Sequence, residues 1–170
     1  MSILRQAHDV GERVITQANA RFLERSSGRI RQAIGLDQDP PPPCNDPETS
    51  YMPLGGAARE FHVDLPAMLV GGLASLLLQM THPLAMAGVA KFSSYREDPL
   101  GRLYQTAQFI GVTTFGSEKD ALAVIDVVRS IHEGVSGYAP DGRRFEASDP
   151  HLLSWVHTAE TAMFLKATEL

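Results

Sequence analysis

Asp64-Leu65-Pro66-Ala67-Met68-Leu69-Val70-Gly71-Gly72-Leu73-Ala74-Ser75-Leu76-Leu77-Leu78-Gln79-Met80-Thr81-His82-Pro83 is the stretch on which the fold turns. Its apolar part, Leu65 to Met80, is interrupted by Gly71, Gly72 and Ser75. It falls short of the roughly 20 apolar residues that a membrane-spanning helix needs. A buried core helix is the expected structure. Asp64 can cap it, because a side-chain oxygen there satisfies the free amides of the first turn, and Pro66 is tolerated in that turn. Thr81-His82-Pro83 ends it, since the residue before a proline is pushed out of the helical region.

The same punctuation repeats downstream. Pro83 to about Lys91 reads as a short helix. Asp98-Pro99 opens another that runs to Phe115 and stops at Gly116. Ser117, with Asp120 three residues on, has the form of a capping box for a helix reaching about Val135. Residues 137–148 carry turn chemistry at Pro140-Asp141-Gly142 and suit a small hairpin. Asp149-Pro150 starts a last helix, expected to be still running at Leu170. No internal repeat and no alternation of strand and helix is present, so the fold class is all-α. Three parts are expected: an N-terminal amphipathic helical segment over residues 1–36, a Pro-rich irregular connection over 37–63, and a helical core over 64–170. In the first, Ala7, Val10, Val14, Ala18 and Phe22 recur at helical spacing between arginines. In the second, the four consecutive prolines from Pro40 to Pro43 favour an extended path.

The chain has 170 residues, 44% of them hydrophobic and 21% charged, enough for one domain with a sizeable core. Its net charge of −5 argues against nucleic acid as a partner, which requires clustered positive charge. The arginines among residues 1–35 are best read as an exposed charged face, with a membrane surface or partner as the rarer meaning. Cys44 is the single cysteine, which excludes an intramolecular disulfide and a Cys-rich metal site. The first residues lack a basic patch followed by an apolar run, so no leader is expected and the cytoplasm is the expected location.

His132 lies in line with Ala121, Ile125, Val128 and Val135, the buried face of its helix. On spacing alone a core histidine is the commoner meaning. The same placement also gives a haem iron what it needs, a nitrogen projecting from a rigid helix into a dry cavity. Arg102 and Thr106, four apart, share a face with Phe109 and Thr113. Burying that arginine requires an anionic partner: a haem propionate, a bound peroxide-like species or a structural carboxylate. Alone, a surface arginine beside a threonine is the simpler reading. His82 can brace the turn at Pro83. His157 and Glu160 are three apart on the last helix, the reverse of the order in di-iron bundles and without a second copy.

Taken together, these segments resemble a known family. Leu77-Leu78-Gln79-Met80-Thr81-His82-Pro83, Ala87-Gly88-Val89, Ser93-Ser94, Asp98-Pro99 with Arg102-Leu103 and Thr106, Phe115-Gly116, His132-Glu133-Gly134-Val135-Ser136-Gly137, Ala147-x-Asp149-Pro150 and Trp155-Val156-His157 occur in order. That ordered set, from about Leu65 to His157, is similar to the oxygenase domain of the rubber oxygenases (latex clearing proteins) and MpaB-type enzymes. The resemblance implies a single multi-helix, orthogonal, globin-like domain holding b-type haem. It implies His132 as the proximal iron ligand, with Arg102 and Thr106 in the haem pocket and His82 and His157 near it. The implied reaction uses dioxygen to cleave carbon–carbon double bonds of a hydrophobic, terpenoid or alkene-containing small molecule. Two departures stand out. The Glu and Lys that the rubber enzymes place near substrate have no counterpart, position 105 being Gln, and the helices that follow position 170 in the family are not in this chain, which reads as C-terminally incomplete.

Three readings follow. The first is a haem-dependent oxygenase, the second a non-catalytic helical protein binding an apolar ligand. The third is a non-haem metal protein using His132, His157 and a carboxylate such as Glu160, which would require three ligands to converge. An apolar last helix without a partner helix suggests exposed surface and a homo-oligomer.

Overall fold

The computed structural model describes residues 42–169. The helices expected over 3–25 and from Arg29 to Leu36 lie outside the described residues. The rest forms six helices and one hairpin: α1 (Ala57–Val63), α2 (Leu65–Met80), α3 (Pro83–Phe92), α4 (Pro99–Phe115), α5 (Glu118–Glu133), β1 (Ser136–Tyr138), β2 (Arg144–Glu146) and α6 (Pro150–Ala167). The all-α expectation stands, with the hairpin as its small exception.

The helix starts follow from local chemistry. Asp64 accepts the Ala67 N–H at 3.1 Å, Asp98 accepts that of Gly101 at 2.9 Å, and Asp149 accepts that of His151 at 2.8 Å. Each of these helices carries a proline in its first two positions, where the missing N–H costs nothing. Ser117 Oγ accepts the Asp120 N–H at 3.2 Å, but the Asp120 carboxylate returns to the Ser117 hydroxyl rather than to its backbone. The capping box is therefore closed by side chains. The hairpin pairs Ser136 with Glu146 and Tyr138 with Arg144, and its turn places Gly142 at φ 84°, a conformation that favours glycine.

Three expectations are corrected. The stretch 37–63 is not irregular to its end: α1 closes it, and Arg59 on α1 is buried. The last helix stops at Ala167, where the Thr168 N–H closes back on Phe164 and Leu165. Nor is that helix partnerless, because α2 packs chiefly against α6. Small residues make this approach possible. A Cβ at Gly71 would lie 2.6 Å from Phe164 Cδ1, whereas one at Gly72 would meet nothing closer than 4.0 Å. Ser75 Oγ donates to the Gly71 carbonyl at 2.7 Å and reaches the Glu160 carbonyl at 3.4 Å. Only this side of α2 is covered. Leu69, Leu73 and Leu77 on its other side are exposed.

The second packed pair is α4 with α5, centred on Val112, Val124 and Phe109. On α5, Ala121 and Val124 are fully buried, as the helical period predicts for the face that carries His132. Ahead of α1, the chain runs along the α4–α5 corner. Cys44 and Tyr51 N–H donate to the carbonyls of Phe115 and Gly116, and Glu118 N–H donates to that of Thr49. Arg59 locks this corner: Nε donates to the Thr114 carbonyl at 3.1 Å, and Nη2 reaches the Cys44 carbonyl and Ser50 Oγ, both at 2.8 Å, and the Phe115 carbonyl at 3.2 Å. No single helix among the described residues is long and apolar enough to cross a membrane.

Candidate functional site

A cavity of about 380 Å³ lies among the two helix pairs, α3 and the hairpin. This is within the usual range of small-molecule sites, ~300–1,000 Å³. Its walls are mostly apolar: Met68 and Leu76 from α2, Phe109 and Ile110 from α4, Val128 and Ile131 from α5, Phe145 from β2, Val156 and Phe164 from α6. Few polar side chains interrupt them. Arg102, Thr106 and Gln105 enter from α4, His132 from α5 and Glu160 from α6. Ser93 Oγ, also at the wall, is buried without a hydrogen-bond partner.

Arg102 and Thr106 are joined as their four-residue spacing allows. Arg102 Nη1 donates to Thr106 Oγ1 at 3.1 Å, and that hydroxyl donates to the Arg102 carbonyl at 3.0 Å. The threonine thus fixes one arm of the guanidinium fork. No carboxylate among the described residues pairs with Arg102, and burial pulls its pKa below the ordinary arginine value. A structural carboxylate, one of the three partners expected for this arginine, is therefore not found among the described residues.

His132 lines the same cavity, half-buried. Burial holds its pKa below the ordinary value, and the Arg102 charge pushes it further down. The neutral imidazole is thereby favoured, which is the form able to ligate a metal.

The other predicted residues sit elsewhere. His82 is the N-cap of α3, its Nδ1 accepting the Ala85 N–H at 3.3 Å, with its ring centroid 4.7 Å from that of Trp155. His157 is exposed on α6, one turn before Glu160. Neither lines the cavity. Among the described residues, no three His, Cys, Asp or Glu side chains come together to hold a metal ion, so the non-haem set of His132, His157 and Glu160 does not form.

Glu160 itself is a half-buried carboxyl at the cavity wall with no hydrogen bond or ion pair to its side chain among the described residues. Burial raises its pKa, and the nearby imidazoles of His157 and His62 oppose that more weakly. Sequence reading considered it only as a metal ligand. Its helical position relative to Val156 and Phe164, four residues away on either side, was the available signal that it shares their inward face.

No curated protein and no solved structure matches the chain. The sequence model of the family described as "ER-bound oxygenase mpaB/B'/Rubber oxygenase, catalytic domain" matches residues 59–170, from the buried Arg59 through every element that lines the cavity. The chain belongs to the mpaB/B'/rubber oxygenase catalytic-domain family.

Proposed function

We propose that this domain binds b-type haem through His132 and acts with dioxygen as an oxygenase on a hydrophobic, alkene-containing small molecule. One observation carries the reading: a neutral-favouring imidazole and a cation that no carboxylate among the described residues pairs with line one apolar cavity. The donor set fits the group. The His132 imidazole on a rigid helix would hold the iron, and the Arg102 guanidinium would pair with a carboxylate of the cofactor or another anionic group.

When bound, the haem iron would supply dioxygen activation, chemistry that no side chain here possesses. The chain's own residues do the rest. Burial first and the Arg102 charge second disfavour a proton on His132, and Arg102 offers the N–H groups that Thr106 leaves free. Thr106 holds the guanidinium in place. Phe109, Val128 and Val156 exclude water and take up an apolar chain, because each buried methylene contributes about 0.8 kcal/mol. A plain apolar-ligand carrier would need neither Arg102 nor His132 at the wall, and both are there.

The test is catalytic. Hemin-loaded protein supplied with an alkene and dioxygen is expected to consume oxygen and release carbonyl products. His132→Ala should abolish this, and Arg102→Ala should reduce it at least tenfold. Turnover by His132→Ala at the wild-type rate would contradict the reading.

A further inference from the structure

We propose that Glu160 is the polar anchor of this cavity, where its carboxyl hydrogen-bonds a hydroxyl group on an otherwise apolar substrate. The inference rests on the cavity being the substrate site. It adds that the substrate is an amphiphile, a long-chain alcohol, rather than a bare hydrocarbon.

The cavity has two separate polar ends. Arg102, Thr106 and His132 belong to α4 and α5, on one wall. Glu160 belongs to α6, on the wall that α2 backs through Ser75. Arg102 acts on His132, whereas Glu160 feels burial first and then His157 and His62. His62 Nδ1 is already engaged with the Ala58 carbonyl, and its ring packs on Phe164. His157 faces solvent. The Glu160 side chain at the cavity wall is therefore left without a hydrogen bond to any of the described residues.

A half-buried carboxyl at an apolar wall has lost part of its water, so a ligand that supplies a hydrogen-bond partner there is favoured over one that does not. The chemistry of the partner follows from the site. An anionic head would be drawn to Arg102 at the other end. A cationic head would have to give up its water to a mostly apolar cavity, which costs far more than desolvating a hydroxyl. A hydroxyl donates to the carboxyl oxygens, so it supplies the missing partner without bringing a charge into the cavity.

The test uses the whole chain without cofactor and measures displacement of Nile red by decan-1-ol and by decane. The readout is the ratio of the Kd for decane to the Kd for decan-1-ol, compared between proteins so that the difference in hydrophobicity cancels. Glu160→Leu is expected to lower this ratio about tenfold, the equivalent of one hydrogen bond. Glu160→Gln, which still donates and accepts, should keep it within about threefold. An unchanged ratio in Glu160→Leu overturns the proposal. Should the leucine variant not fold, infrared spectra of wild type and Glu160→Gln decide. The carboxyl stretch that Glu160→Gln removes should shift with decan-1-ol and not with decane, and no shift overturns the proposal. Because none of this needs haem, the two readings fail independently. An unchanged ratio with an intact haem spectrum sinks the anchor alone, and a lost haem spectrum with the expected ratio sinks only the oxygenase reading.

Discussion

The two ends of α4 each carry a buried arginine contact, and they are opposites. At the C-terminal end, Arg59 reaches over from α1 and donates to three backbone carbonyls and a hydroxyl, with its guanidinium 5.6 Å from the Phe115 ring centre. Two of those carbonyls, Thr114 and Phe115, are the ones a helix end leaves without intrahelical partners, where the helix dipole also favours a cation. At the N-terminal end, Arg102 has one threonine hydroxyl and an apolar cavity. The same side chain therefore serves two purposes. Where its donors are used up by the chain, it is a clamp. Where they are left free beside a cavity, it is open to a ligand, which is the role proposed for Arg102.

Removing the clamp should have the largest effect. Arg59→Ala leaves several acceptors at the α4–α5 corner unpaired and is expected to cost about 3–4 kcal/mol in urea denaturation. Arg59→Lys retains the charge but not the fork, and about half that loss is expected. A loss below about 1 kcal/mol for the alanine variant would erase the distinction between the two ends. The pH dependence comes next. The His132 pKa is lowered on folding, so the unfolded chain takes up that proton first. Stability is complete above 6.5, the ordinary histidine value, and is lost as pH falls toward the lowered one. His132→Phe should flatten that part of the curve, and a curve unchanged by the substitution would refute the burial of His132. Glu160 has the opposite sign: its raised pKa makes stability decline as pH climbs past 4.5, a decline that Glu160→Gln should remove. The smallest effect is expected at the binding end. Arg102→Met in the cofactor-free chain should stay within about 1 kcal/mol of wild type, or gain, because a desolvated cation is replaced by an apolar chain. In that variant the His132 pKa, followed by NMR, should move up toward its ordinary value.

Much of this was legible before the structure, and the rest was hidden for identifiable reasons. Helix α5 displays a clear period, with charge on one side and Ala121, Ile125 and Val128 on the other, so its buried face and His132 could be placed from residue order alone. The Asp-Pro starts of α4 and α6 were equally plain. Helix α2 has the same length as α5 but no charged residue. Its sequence could not say which face is covered, and the expected buried helix proved half-exposed. What decides the matter is the close approach of Gly71 to Phe164, a pairing between residues far apart in sequence. Helix α1 was missed because seven residues after a Pro- and Gly-rich stretch carry little periodic signal. Nothing in the sequence singles out Arg59, since its acceptors are chiefly backbone carbonyls, which residue types do not reveal. Arg102 and Thr106 were recognisable as a pair, but whether a carboxylate from elsewhere would neutralise the arginine depended on the packing.

The central claim is that His132 and Arg102 face a cavity built for haem. An ultraviolet–visible titration of the chain with hemin, run beside His132→Ala, tests it most directly. The account predicts a saturable Soret band at one hemin per chain whose position shifts or whose intensity collapses in the alanine variant. A band identical in both proteins, or none in wild type, would contradict it.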